Sequence, residues 1–269
     1  MQSEQRNAAL RPQKGERLVF DASPVLNERP LHYCPGCHHG IAHRLVAEVL
    51  HELQVADKAI LVASVGCSTF TYDYFNVDSV EAPHGRACAV ATGVRRARPE
   101  AVIFTYQGDG DMTAIGAAES LHAANRGEKI TAVLVNNTVY GMTGGQMSPT
   151  TLLGQKTTTT QAGRTMGNDG GPIHFAEILA QLGGVAYSCR CALDSVKHVR
   201  EAKKALRRAF DVQIAGLGFG FIELLAGCPT NWHLDPIAAN KRISEAMIPV
   251  FPLGVFKDAG QEGGGGRHA

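Results

Sequence analysis

The sequence predicts an α/β protein built on a mostly parallel open sheet with helices on both faces. Three observations predict it. Short apolar runs rich in β-formers (residues 59–65, 101–106, 130–135 and 219–225) alternate with segments of helical periodicity (38–53, 87–97, 113–125 and 194–210). Residues 101–135 read strand, helix, strand, and a right-handed βαβ crossover makes the two strands parallel. The runs also lead into Gly, Asp, Asn or Cys, which gathers polar loops at the carboxyl edge where open α/β sheets bind ligands.

Along the chain, residues 1–28 are polar and mixed and read as an N-terminal arm. Residues 29–256 form the main domain. Cys34-Pro35-Gly36-Cys37 is a tight turn with a thiol at each end, placed at the start of the helix 38–53. Strand 59–65 leads into Gly66-Cys67-Ser68, and helix 87–97 contains Cys88, read as a small core residue. Strand 101–106 runs into Gly108-Asp109-Gly110-Asp111; helix 113–125 follows with Thr113 as its N-cap; strand 130–135 leads to Asn136-Asn137. A carboxylate and a side-chain amide at adjacent strand ends, with glycines permitting close backbone approach, are what a hard cation bridging two phosphates requires. Residues 148–171 are rich in Thr and Gly without a clear period and read as an active-site or subunit-interface loop. Cys189 and Cys191 are placed after a short strand as structural residues, and helix 194–210 carries Lys203, Lys204, Arg207 and Arg208 on a solvated face. Strand 219–225 leads to Gly227-Cys228-Pro229, and residues 257–269, with four successive glycines, read as a flexible tail.

The 269 residues carry 26 Lys and Arg against 25 Asp and Glu, so nothing in the charge favours nucleic acid or a membrane surface. No apolar run is long enough to span a bilayer, and seven cysteines without a secretory signal point to a reducing, cytoplasmic setting and to metal ligation rather than disulfides. On chemistry alone, the loop thiols suit zinc or an iron–sulfur cluster, and a thioredoxin-like dithiol less well. Among the N-terminal histidines, His43 and His51 read as surface or capping residues, while His38 and His39 adjoin the thiol turn and could tune its hydrogen bonding.

Gly108-Asp109-Gly110 followed by Asn136-Asn137 resembles the thiamine-diphosphate-binding fingerprint. The resemblance implies that Asp109, Asn137 and the main-chain carbonyl of Val139 hold Mg2+ against the diphosphate. Together with CPGC, GCS, His84-Gly85-Arg86-Ala87, the segment Tyr140-Gly141-Met142-Thr143-Gly144-Gly145-Gln146, Ser148-Pro149-Thr150 and the Cys228-Pro229 pair, the chain resembles the β subunit of the 2-oxoacid:ferredoxin oxidoreductases over residues 30–240. That resemblance implies a thiamine-diphosphate-binding fold and a [4Fe-4S] cluster on Cys34, Cys37, Cys67 and Cys228. Cofactor contacts are expected from Gly66, Cys67, Ser68, His84, Gly85, Gly108, Asp109, Gly110, Asp111, Asn137, Val139, Tyr140, Gly141, Met142 and Thr143, with His84 in a catalytic position. The implied reaction is the CoA-dependent oxidative decarboxylation of a 2-oxoacid to acyl-CoA and carbon dioxide, with electrons leaving to ferredoxin.

The family places the carboxylate that activates thiamine on a partner α subunit, so an αβ assembly is expected. No ferredoxin-type C-x2-C-x2-C-x3-C run occurs in the chain itself, so electrons are expected to leave to a separate ferredoxin or to another electron-accepting subunit. Some relatives carry Lys where this chain has Gly144, which leaves a branched-chain 2-oxoacid or 2-oxoglutarate as substrate. Two other readings stay open at this point: a non-redox thiamine-diphosphate decarboxylase or carboligase, and a zinc-stabilised scaffold subunit.

Overall fold

The computed structural model describes residues 16, 17, 19 and 21–260. Its centre is a seven-stranded sheet formed by β1 (Ala59–Ala63), β2 (Asp78–Glu81), β3 (Val102–Gly108), β4 (Thr131–Asn136), β7 (Val185–Ala192), β8 (Phe219–Leu225) and β9 (Gly254–Asp258), ordered β2-β1-β3-β4-β8-β7-β9. Every pairing is parallel except β7 with β9. A small antiparallel ribbon, β5 (Val139–Tyr140) with β6 (Gln146–Met147), stands apart from it.

The inner strands are apolar without alternation because both faces are covered. Helices α1 (His39–Glu52) and α5 (Val196–Ile214) pack on one face, where Leu45, Leu50, Phe210 and Leu206 meet Leu61, Phe104 and Ile222. On the other face, α2 (Ala87–Ala97), α3 (Ala117–Asn125) and α4 (Phe175–Ala180) meet Val62, Ile103, Leu134 and Phe221. Each such large side chain taken fully from water stabilises the fold by roughly 1.5–3 kcal/mol. Only the edge strand β2, Asp-Ser-Val-Glu, is exposed along its whole length, and its two carboxylates discourage pairing with another sheet.

Register decides where the loops go. Ala63 lies beside Tyr106, Gly108 beside Val135, and Asn136 beside Leu225, so the segments after β1, β3, β4 and β8 all leave the same edge. A third apolar cluster, of Leu152, Ala192, Leu225, Ile243, Met247 and Phe251, seats the C-terminal region, including α6 (Pro236–Arg242) and the turn after it, beside that edge.

Several sequence expectations are corrected. Thr113 is not a helix cap: its hydroxyl donates to the Asp109 carbonyl at 2.7 Å inside a wide turn, Asp111–Ile115, that precedes α3. Cys189 and Cys191 lie within β7, not after it, and β2 and β9 were not foreseen. His43 is no surface residue, being 1% exposed among Tyr33, Phe75 and Tyr106, because α1 turns its His39 and His43 face inward. The arm and tail boundaries also move: Val25 is buried and Leu26 bridges to Phe75, while β9 extends through Asp258. Residues 1–15 of the expected arm and 261–269 of the expected tail lie outside the described residues.

Candidate functional site

A cleft of about 110 Å³ opens at the shared strand edge. It is lined by Gly66, Cys67 and Ser68 after β1, by His84, by Gly108 to Asp111 after β3, and by Asn137 and Val139 to Thr143 after β4. Thus every residue expected to contact thiamine diphosphate lines one cavity except Gly85, whereas of the four expected cluster ligands Cys67 alone does so. Gly85 supports it from behind, its amide donating to Asp111 at 2.6 Å.

The two aspartates of GDGD have different surroundings. Asp111 is saturated: Ser64 Oγ at 2.9 Å, Gly85 N and His84 Nδ1 donate to Oδ1, and Gln107 Nε2 donates to Oδ2 at 2.6 Å. Its carboxylate therefore fixes the loop and the His84 ring and has little capacity left for a metal. With Nδ1 so used, Nε2 is the ring atom His84 has free for chemistry. By contrast, Asp109 accepts only hydroxyl donors from side chains, Ser148 Oγ at 2.7 Å and Thr150 Oγ1, both on Oδ2. Burial pushes its carboxyl up to about 6, and no cationic side chain among the described residues offsets that cost. A buried carboxylate short of positive charge is a fitting ligand for a hard divalent cation.

Asn136 and Asn137 also divide their work. Asn136 points into the core, donating to Glu223 Oε1 at 2.7 Å and accepting the Thr138 amide at 3.1 Å, and Glu223 in turn pairs with the buried Arg190 at 2.8 Å. Between Asn137 and Val139, two of the three expected metal ligands, Thr138 takes a left-handed conformation (φ 63°), held by Thr151 Oγ1 and Gln155 Nε2 on its carbonyl. Asn137 faces the cleft, and its carbonyl accepts the Trp232 indole N–H at 3.1 Å. Tyr140 closes one wall, its hydroxyl donating to the Gly110 carbonyl at 3.0 Å. A Cβ on Gly110 would lie 2.3 Å from the Tyr140 ring, which explains glycine there.

Of the four loop thiols, Cys67 and Cys228 come together beside this cleft, and Cys34 and Cys37 lie near enough to interact with them electrostatically. Cys37 N–H donates to the Cys34 carbonyl at 3.0 Å to close the CPGC turn, and the left-handed Gly36 packs on Pro236 with no room for a Cβ. Tyr33 hydroxyl holds the Cys67 carbonyl at 2.9 Å. His38 connects distant loops: Nδ1 accepts the Gly227 amide at 3.1 Å, so Nε2 carries the proton and donates to Asn240 Oδ1 at 2.7 Å. Asn231 Nδ2 reaches both Cys228 Sγ at 3.2 Å and the Gly141 carbonyl at 2.9 Å. Gly141 marks the junction, since a Cβ there would sit 3.4 Å from Cys67 Sγ and 3.7 Å from both Cys228 Sγ and Asn137 Nδ2.

Burial first and the neighbouring thiols second raise Cys37 to about 12 and Cys67 to about 11. Such a group gains from a positive centre that takes the sulfurs as thiolates. Among the described residues, no three His, Cys, Asp or Glu side chains gather on one point as a single ion requires.

Ser148, Thr150, Asn231 and Trp232 act in or around this site without a role having been expected of them from sequence. The hydroxyls had a signal, because Ser148-Pro149-Thr150 lies among the quoted motifs. Asn231 and Trp232 had none, since their roles depend on how the turn Pro229–Trp232 folds back.

Comparison with known proteins agrees with this geometry. Residues 64–223 match the family model described as thiamine pyrophosphate enzyme, C-terminal TPP binding domain. The chain is 46% identical over 244 residues to ketoisovalerate oxidoreductase subunit VorA of Methanothermobacter thermautotrophicus, covering 91% of this chain but 51% of that relative. It thus spans about half the length of such relatives. It is 36% identical over 238 residues to 2-oxoglutarate synthase subunit KorB of Archaeoglobus fulgidus, covering 85% of each. A solved 2-oxoglutarate:ferredoxin oxidoreductase from Magnetococcus marinus, with 2-oxoglutarate, coenzyme A and succinyl-CoA bound, superposes with a TM-score of 0.70 over 91% of this chain and 87% of that one. At 24% identity, that likeness speaks for the fold alone. With the model match covering more than half of the chain and KorB aligned along most of its length, the chain belongs to the thiamine pyrophosphate enzymes and, among them, to the β subunits of the 2-oxoacid:ferredoxin oxidoreductases.

Proposed function

We propose that this β subunit works in the oxidative decarboxylation of a branched-chain 2-oxoacid to its acyl-CoA, with electrons leaving through a [4Fe-4S] cluster to ferredoxin. The observation that carries the reading is the junction at Gly141, where the carboxylate-and-amide half of the cleft meets two of the four loop thiols. A decarboxylase or carboligase gives no account of that convergence. When bound, thiamine diphosphate would supply the carbon that attacks the ketone and hold the electrons left by carbon dioxide, and the cluster would accept them singly.

The chain's own residues bind and orient. Asp109, Asn137 and the Val139 main chain would hold Mg2+, and Ser148 and Thr150 aim Asp109. His84, fixed by Asp111, presents Nε2 as a proton donor or acceptor towards the cleft. Cys34, Cys37, Cys67 and Cys228 would ligate the cluster, with Tyr33, His38 and Asn231 fixing their loops.

Two further features support particular choices. Among the described residues no Lys or Arg lines the cleft, which suits a substrate side chain without a second carboxylate, as does the similarity to a ketoisovalerate oxidoreductase subunit. The cleft volume of about 110 Å³ falls below the range of roughly 300–1,000 Å³ usual for small-molecule pockets, so a partner α subunit would supply the remaining wall.

Turnover of 2-oxoisovalerate, 2-oxoglutarate and pyruvate, each with coenzyme A and ferredoxin, tests the proposal on the assembled complex. The expected order places 2-oxoisovalerate first. Carbon dioxide release without ferredoxin reduction would overturn the redox reading, and a preference for 2-oxoglutarate would overturn the substrate choice.

A further inference from the structure

Cys189 and Cys191 have no part in the cleft, yet their sulfurs approach to 3.7 Å. Both point to the same face of β7, under α5, and they are 2% and 7% exposed. Strand pairing fixes their spacing: Cys189 lies beside Ile222 and Cys191 beside Leu224 on β8, with no irregularity between them.

Two residues apart on a regular strand, their Cβ atoms are about 6.6 Å apart. A disulfide needs roughly 3.5–4.5 Å between Cβ atoms, so bonding the sulfurs would require the strand to pinch in mid-sheet. A metal–sulfur bond to a thiophilic ion is roughly 2.3 Å, so one ion between opposed thiolates asks for sulfurs about 4.6 Å apart. Small side-chain rotations reach that distance and leave the strand unmoved.

We propose that Cys189 and Cys191 form a two-coordinate site for a soft monovalent cation of the Cu(I) class, a metal that thiolates select. Among the described residues no third His, Cys, Asp or Glu completes a larger coordination shell there, which leaves the linear arrangement. The environment already favours thiolate at one position. Cys191 holds the Cys189 thiol below the usual range by a hydrogen bond, and the Tyr187 hydroxyl on the same face and the nearby Arg190 charge add to it, while the same hydrogen bond and burial raise Cys191, so its proton is the one the ion has to displace against the environment. Binding would displace the protons of both thiols, and the ion would take the place of the S–H hydrogen bond.

Anaerobic titration with Cu(I) against a colorimetric chelator, on the assembled complex, tests this. The doubly substituted protein, Cys189→Ala with Cys191→Ala, is expected to bind one equivalent fewer than the unsubstituted one, whatever the cleft thiols hold. Should that variant fail to fold, Cys191→Ser, the smaller change in volume, should lose the same equivalent. Equal stoichiometry in parent and folded variant would overturn the proposal. Separately, the unsubstituted protein is treated with a thiol oxidant in its native state, alkylated and cut with trypsin after Arg190. Separate alkylated fragments are expected, and fragments linked through Cys189 and Cys191 would overturn the geometric argument.

Discussion

Asp109 and Asn137 follow the ends of adjacent central strands, whereas the four cleft thiols come from three loops widely separated in the sequence. The first pair inherits its position from the sheet: β3 and β4 are buried and in register, and Ser148 and Thr150 only orient a carboxylate already in place. Cys67 and Cys228 also follow strand ends, those of β1 and β8, but a few residues further on, and Cys34 and Cys37 come from the loop before α1. Their loops are joined by single polar contacts, from Tyr33 to Cys67, from His38 to Gly227 and from Asn231 to Cys228. On the proposed function, the difference teaches that the half assigned to magnesium would be preformed, whereas the half assigned to a cluster would depend more on what it binds.

If so, the largest effect comes from removing a thiol. Cys67→Ala should abolish iron retention and ferredoxin reduction, read by iron analysis and a reduction assay, while magnesium-dependent thiamine diphosphate binding changes little. Parallel loss of both would erase the distinction between the halves.

Asp109→Asn acts on the other side. Cofactor retention should fall more than about 100-fold, beyond the effect usual for an outer partner. The metal-free protein should nevertheless become more stable. Burial raises the Asp109 pKa above its unfolded value, so this group's contribution is present below the unfolded pKa and is lost as pH rises through about 6. At pH 8 a neutral Asn avoids that loss, worth about 2–3 kcal/mol in denaturant unfolding of metal-free protein. An unchanged or lowered stability would show that the carboxylate is not short of positive charge.

Thr150→Val removes one hydroxyl from Asp109 and should weaken magnesium binding by about 10–100-fold while iron content is kept. His38→Phe is its counterpart among the thiols. It leaves the Gly227 amide and Asn240 without partners at a cost of about 1–3 kcal/mol, and iron loading should fall while magnesium binding holds.

The smallest effect lies away from both halves and serves as a control. Arg208 grips Asp258 through Nε at 3.0 Å and through Nη2, tying β9 to α5 and holding the carboxyl below its usual range. That stability is present above the unfolded carboxylate pKa and lost as pH falls through the lower folded value. Asp258→Asn should therefore cost up to about 1 kcal/mol at pH 7 and nearly nothing in strong acid, leaving both cofactors bound.

How far the sequence reached follows the same division. Strand-borne residues were legible because local pattern fixes them: β8 has the expected bounds, α2 spans residues 87–97 as read, and Asp109 and Asn137 reach one cleft. Residues whose roles depend on distant packing were not. His43 has the same spacing on an exposed or a buried helix face, and only the contact of α1 with the sheet decides between them. Polar β2 and the antiparallel β9 lack the apolar runs by which the inner strands were recognised. Cys189 and Cys191 sit on a strand whose arginine, serine and two cysteines mask its β character, although all eight of its residues are buried.

The central claim, two cofactors in one cleft, is tested most directly by analysing the anaerobically purified complex for iron, acid-labile sulfide, zinc, magnesium and thiamine diphosphate. Iron and sulfide in equal amounts, together with magnesium and thiamine diphosphate in proportion to the chain, are the predicted result. Stoichiometric zinc without sulfide would contradict it.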